Sequence, residues 1–384
     1  MAGLYLHIPF CKQACHYCNF HFSTSLKQKD ELLHAMLREL EWRSNELSQT
    51  PVHTIYLGGG TPSLLNENEL SRLFEAIYKW YPVAAEPEVT LEANPDDLSR
   101  EKLRQLRQTP VNRLSIGVQS FAEADLRFMN RAHNAQEAQA CILFALEAGF
   151  DNLTVDLIYG SPTTSDAQWE SNVRLLIELG IPHLSCYCLT VEPKTALDYF
   201  VQKGKTPPVD EDQAGRQFEM LMNRMEDEGY EHYEISNFAK PGYYSRHNAS
   251  YWQGALYLGI GPSAHSYDGL RRKWNVANNA KYIQSLNSIS TGANLSDLEG
   301  TLFEQETLSA SQRYNEYVMT SLRTSWGCHV DHIKTIDPRF ERIFLDGIRH
   351  FISQGEVVQE NGVFRLSRQG KLIADRIAME LFDV

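Results

Sequence analysis

LYLHIPFCKQACHYC, residues 4–18, runs from a strand-like segment straight into three cysteines, Cys11, Cys15 and Cys18, spaced C-x3-C-x2-C. Three thiolates this close in sequence can converge from one loop, and thiolates are the usual ligands of iron–sulfur clusters. A cubane has four irons, so three cysteines leave one iron open to another ligand. The competing reading is zinc, with His16 or His21 completing a Cys3His site; no second CxxC partner supports it. The other cysteines, Cys141, Cys186, Cys188 and Cys328, are scattered through helix- or strand-like segments and read as small core residues.

Working outward, five more β-rich runs follow the first: HTIYLGGG (53–60), EVTLEANP (88–95), RLSIGVQS (113–120), NLTVDLIYG (152–160) and HLSCYCLT (183–190). Helix-patterned segments separate them. In residues 29–47, for example, Leu32, Leu33, Met36, Leu37 and Leu40 recur at helical spacing, as a core-facing stripe does. Alternating strands and helices predict an α/β fold with a parallel sheet, here a partial (β/α)6-type barrel. The unusual residue clusters fall where strands end, the side on which parallel βα folds build their sites. After about residue 290 the pattern changes to helices and a hairpin turning at Asn361-Gly362. The chain therefore reads as a core with its extension over 1–290 and a smaller α+β, winged-helix-like module over 291–384.

With 384 residues, 42% of them hydrophobic, the chain can bury a substantial core. Its net charge of −13 argues against a general nucleic-acid footprint, which needs clustered Lys and Arg. No nucleic-acid partner is expected, and RNA modification is disfavoured. MAGLYLHIPF lacks the basic region and cleavage site of a secretory leader, and no stretch reaches the roughly 18 apolar residues of a membrane span. The expected location is the cytoplasm. Seven cysteines, three of them within residues 11–18, do not resemble a disulfide scaffold.

The cysteine array after HIPF, with GGGTPS about 40 residues further on, resembles the radical S-adenosylmethionine (SAM) superfamily. More narrowly the chain is similar to the coproporphyrinogen-oxidase-like branch, over nearly its whole length. The resemblance implies a 4Fe–4S cluster on Cys11, Cys15 and Cys18. SAM would occupy the open iron through its amino and carboxylate groups, and one-electron cleavage there yields a 5′-deoxyadenosyl radical. It also implies that Tyr5, Tyr17, Gly59, Gly60, Thr61, Glu92, Gln119, Arg131 and Asp156 contact SAM or a second ligand. Glycines 58–60 suit close backbone approach to such a ligand, and the absence of a GK[ST] ending sets them apart from a phosphate-binding loop.

Three features then separate the oxidase from its heme-chaperone relatives. Phe20 stands where the oxidase carries a further cysteine, and only ten residues precede Cys11, where the oxidase has an extension. RHNASYW (246–252) matches the H-N-x-x-Y-W motif associated with the chaperones. A neutral imidazole at His247 could ligate heme iron, with Tyr251 and Trp252 offering aromatic surface to the macrocycle. The expectation is a protein that binds heme and delivers it to an apo-hemoprotein, with oxidative decarboxylation of coproporphyrinogen III as the alternative. A membrane-associated acceptor and a homodimer both stay open. His7, His133 and His265 read as structural or supporting.

Overall fold

The computed structural model describes residues 2–47, 49–288 and 298–384. All six expected strands are present: β1 (Ala2–Ile8), β2 (Val52–Gly59), β3 (Val83–Ala93), β4 (Arg113–Gln119), β5 (Leu153–Tyr159) and β6 (His183–Cys188). They pair in parallel, each with the next. Beyond β6 come the antiparallel strands β7 (Glu231–Glu234) and β8 (Asn237–Ala239), while β9 (Leu256–Ile260) joins β1 in parallel on the other side. β10 (His265–Tyr267), β11 (Arg271–Asn275) and β12 (Phe303–Thr307) extend that side, giving the order β12-β11-β10-β9-β1-β2-β3-β4-β5-β6-β8-β7. The order is open, with β12 and β7 at its edges, as a partial barrel requires.

Several crossover helices begin on side-chain caps. Asn66 with Glu69, Asn134 with Glu137 and Ser165 with Gln168 each form a capping box that satisfies amide donors at the helix start. Each cap contributes about 1 kcal/mol and fixes where the chain turns back from the sheet.

Strands buried on both faces by βα crossovers usually read as near-continuous apolar runs. These do not. Leu4, Leu6, Ile55, Leu57, Val89, Leu91, Leu114, Ile116, Val155 and Leu184 form the core with the helices. Alternate positions carry Tyr5, His7, Thr54, Tyr56, Glu88, Thr90, Glu92, Arg113, Ser115, Thr154, Asp156, His183 and Ser185. Side chains alternate across a strand, so these polar groups share the opposite face. They bond to one another there: Tyr56 to Glu92, Arg113 to Thr154, Ser115 to Asp156 and His183 to Thr154. The interior of the partial barrel is a polar chamber, which locates the site before any ligand is considered.

The boundary expected at 290/291 lies outside the described residues. β12 still pairs with β11, so the large sheet takes in residues 303–307. A second core follows, built on Tyr314, Phe340, Phe344 and Phe364. It gathers helices Ala310–Leu322, Val330–Ile336 and Arg339–Ser353 around a small sheet of β13 (Cys328–His329), β14 (Val357–Glu360) and β15 (Val363–Leu366). The expected hairpin is there: Glu360 pairs with Val363, and Asn361 and Gly362 both take positive φ, as a two-residue primed turn demands. Main-chain bonds from Ser325 to Tyr233 and from Ile235 to Arg323 fasten this module to β7 and its turn. Among the described residues no helix is long and apolar enough to cross a membrane.

Candidate functional site

The cysteine loop leaves β1 at Pro9 and is held on every side by backbone bonds. Cys11 N donates to Ser23 O at 3.0 Å and Ser23 N to Pro9 O at 2.8 Å, closing the loop on itself. Gly60 N and Thr61 N donate to Ile8 O and Phe10 O, tying the exit of β1 to the end of β2. A Cβ on Gly60 would stand 2.5 Å from Ile8 O and 2.7 Å from Phe10 N. Glycine is thus required at 60 by the chain's own crossing, whatever ligand also approaches. Gly59, at φ +97, packs against the His7 ring.

All three cysteines are partly buried, and Cys15 and Cys18 border an open recess of about 610 Å³ together with Phe20, Asn130 and Lys194. Among the described residues no three His, Cys, Asp or Glu side chains come together closely enough for one metal ion. A cubane asks something different, since each cysteine binds its own iron and the thiolates must stand apart.

Of the other predicted SAM-contact residues, Gly59, Gly60, Thr61, Glu92 and Gln119 lie at the C-terminal ends of β2 to β4, Tyr5 and Asp156 sit mid-strand in β1 and β5, and Arg131 follows helix Glu123–Phe128. Glu92 accepts hydrogen bonds from the Tyr56 hydroxyl at 2.8 Å and from Gly59 N at 3.0 Å. Burial nevertheless raises its carboxyl to about 7, and burial raises Asp156 to about 6. Tyr5 donates its hydroxyl to His7 Nδ1 at 3.1 Å, because His7 Nε2 is committed as donor to His21 O. Thr61 Oγ1 accepts from Asn94 Nδ2. Gln119 takes φ +70, in the left-handed region, where the β4–β5 register shifts. A non-glycine residue held there costs energy and marks a bulge that redirects the strand end. Tyr17, within the cysteine loop, interacts with Cys15 and Arg131 and packs its ring against a small apolar cluster of Met129, Ile158, Leu189 and Leu197.

Arg131 completes the loop's surroundings. Its Nη1 donates to Cys15 Sγ at 3.1 Å, and Nη2 to Asn94 Oδ1 and Gly117 O at 2.7 and 2.6 Å. Asn94 joins Thr61 to Arg131, a role that the LEANP motif carried without advertising. The Tyr56 hydroxyl on Glu92 is a second contributor missed in the sequence. The polar–apolar alternation of the six strands was the signal that could have revealed it.

His247 lies at the opposite end of the strands. It is on helix Arg246–Trp252, and its ring meets Gly3 and Thr54, whereas the cysteines follow Ile8. From Gly3 to Ile8 the strand rises about 16 Å. The imidazole is 1% exposed, with Nδ1 hydrogen-bonded to Thr54 Oγ1 and Nε2 to the Tyr251 hydroxyl, both at 2.8 Å. It stacks on Tyr56 at 4.9 Å, and burial lowers its pKa to about 3, so the ring is neutral. Both nitrogens are occupied, so iron ligation at this imidazole requires a hydroxyl to leave. Trp252 packs under the Arg323 guanidinium. Cys141, Cys186 and Cys328 are buried as expected, but Cys188, the last residue of β6, is exposed.

Residues 5–176 match the family model of the radical SAM superfamily, and residues 308–373 match the HemN C-terminal domain. The chain is 34% identical over 384 residues to a Mycobacterium tuberculosis protein named heme chaperone HemW, covering 99% of this chain and 94% of that one. It is 33% identical over 380 residues to the heme chaperone HemW of Bacillus subtilis, covering 98% of each. Among solved structures, coproporphyrinogen III oxidase (HemN) from Escherichia coli superposes with a TM-score of 0.84 at 24% identity, covering 99% of this chain and 90% of that one, and so shares the fold. The matches run over nearly the whole chain, and the chain belongs to the radical SAM superfamily and, within it, to the HemW family.

Proposed function

We propose that this chain is a heme chaperone, which binds heme and passes it to an apo-hemoprotein while carrying one 4Fe–4S cluster with SAM at the open iron. The observation that carries the reading is the near-full-length similarity to relatives named as heme chaperones. Phe20, 69% exposed beside the cysteine loop, and the HNxxYW helix point the same way.

The residues present fit a cluster. Three partly buried thiols share one loop, and a guanidinium donates to one of their sulfurs where an anionic group is called for. Cys11, Cys15 and Cys18 would hold the irons. Tyr5, Gly59, Gly60, Thr61, Glu92, Gln119, Arg131 and Asp156 would surround SAM, with Tyr17, beside Cys15 and Arg131, joining them from the cysteine loop. Such a cluster, when bound and reduced, would supply one electron to a ligand at its open iron. What the chain itself contributes is a chamber with two buried carboxyls of raised pKa and a fixed set of donors. For heme, His247 is the proposed ligand once its bond to Tyr251 opens, and Trp252 and Tyr251 would then face the macrocycle.

Heme titration of the full-length protein tests this reading. A saturable Soret band that is lost in His247→Ala supports it. The second reading, oxidative decarboxylation of porphyrinogen propionates, is favoured by the fold shared with the oxidase. Protoporphyrinogen formed at a catalytic rate in an anaerobic assay would replace the chaperone reading.

A further inference from the structure

Arg131 is a cation in search of a counter-charge. Among the described residues no carboxylate forms an ion pair with it, and its Nε is buried with no hydrogen-bond partner. A charge withdrawn from water needs a partner of opposite sign. Among the described residues its hydrogen bond to an ionisable side chain goes to Cys15, at 3.1 Å from Nη1 to Sγ, while the Tyr17 hydroxyl and Asp96 act on it only through space.

The contact is built rather than incidental. Asn130, at φ +56, turns the chain sharply after helix Glu123–Phe128, bringing Arg131 back toward the loop. Residues 128–131 are then zipped to 13–16: Asn130 Nδ2 donates to Ala14 O at 2.7 Å, Gln13 Nε2 to Asn130 Oδ1 at 2.8 Å, His16 N to Met129 O at 3.1 Å and His16 Nδ1 to Phe128 O at 2.9 Å. Nη2 is locked separately by Asn94 Oδ1 and Gly117 O, from the ends of β3 and β4. Asn94 is itself held through Thr61. Two independent sets of bonds thus fix both the backbone and the fork of Arg131 relative to one cysteine sulfur.

We propose that Arg131 is the built-in counter-cation of the iron–sulfur cluster, a positioning residue that sets its reduction potential through the Cys15 sulfur. This rests on the reading that Cys11, Cys15 and Cys18 carry that cluster. Reduction adds one electron, and so one negative charge, to a group already anionic through its thiolates. A donor cation at a ligand sulfur stabilises the reduced form more than the oxidised form and raises the potential. The effect needs no SAM, which separates it from any contact that Arg131 also makes with SAM.

The test is a redox titration of the reconstituted full-length protein, monitored by electron paramagnetic resonance without SAM. Arg131→Gln is expected to make reduction at least tenfold less favourable, a midpoint lower by 59 mV or more for one electron. Arg131→Lys, which keeps the charge but not the fork, should recover most of that shift. Asn94→Ala keeps the arginine and loosens its aim, and should lower the midpoint by a smaller amount. An unchanged midpoint in Arg131→Gln at parental iron content overturns the proposal. If Arg131→Gln assembles no cluster, an unchanged midpoint in Asn94→Ala overturns it instead. A parent protein that binds no iron under reconstitution overturns the cluster reading itself, and this inference with it.

Discussion

The Tyr251 hydroxyl sits 2.8 Å from His247 Nε2, one helical turn away, and occupies the nitrogen that a heme iron would take. Thr54 closes the other nitrogen from β2. Heme binding at this histidine therefore asks the helix to uncover a ring that is 1% exposed and the hydroxyl to yield Nε2 to iron. Tyr251→Phe removes the competitor and keeps the ring. With a net hydrogen-bond worth of about 0.5–1.5 kcal/mol, the variant should bind heme about 2- to 10-fold more tightly in a Soret titration. Weaker binding in Tyr251→Phe would mean that the hydroxyl assists the ligand instead of blocking it.

Gly60 gives a second test, of the loop rather than the ligand. Gly60→Ala forces a Cβ to within 2.5 Å of Ile8 O, a backbone atom that cannot step aside. Overpacking of this kind costs about 1–3 kcal/mol. The variant should show a lower denaturation midpoint and a reduced iron content after reconstitution. Parental values for both would show that the crossing of β1 and β2 tolerates the added carbon.

Cysteine replacements should divide cleanly. Cys11→Ala, Cys15→Ala and Cys18→Ala each remove a ligand and should lose most of the iron and the visible iron–sulfur absorption. Cys188→Ala, at an exposed position outside the loop, should keep both. Iron retained in full by any loop variant would exclude that cysteine as a ligand.

The buried carboxyl of Glu92 sets a pH dependence with a definite sign. Its folded pKa, about 7, lies above the ordinary carboxylate value near 4. Between those values the folded chain holds a proton that the unfolded chain has released, so stability falls as pH rises. Asp156, raised to about 6, acts in the same direction over a narrower window. In the protein free of SAM, Glu92→Gln should flatten the stability loss between pH 5 and 8, measured by urea unfolding across that range. An equally steep loss in the variant would place the titration elsewhere.

Much of this is legible in the sequence. The six strands lie where their β-rich runs predicted, and the turn at Asn361-Gly362 is a hairpin because that dipeptide tolerates two positive φ angles. The cysteine spacing announced a loop site. What was not legible depended on partners far apart in sequence. The burial of His247 is set by Thr54, on a strand nearly two hundred residues earlier. The requirement for glycine at 60 comes from Ile8 and Phe10 crossing beside it. Cys188 looked like core because its strand is apolar on alternate positions, yet burial stops at Cys186 and the last two residues of β6 are exposed. The polar chamber was present in the alternation of every strand. It emerges only when the strands are read side by side.

The central claim is that the chain carries heme in order to give it up. The direct measurement mixes heme-loaded, full-length protein with an excess of an apo-hemoprotein whose holo spectrum differs from its own, and follows the Soret region with time. The account expects a saturable 1:1 heme complex, then transfer to the acceptor faster than from free heme-loaded albumin. A protein that forms no saturable complex, or that binds heme and never releases it, would contradict it.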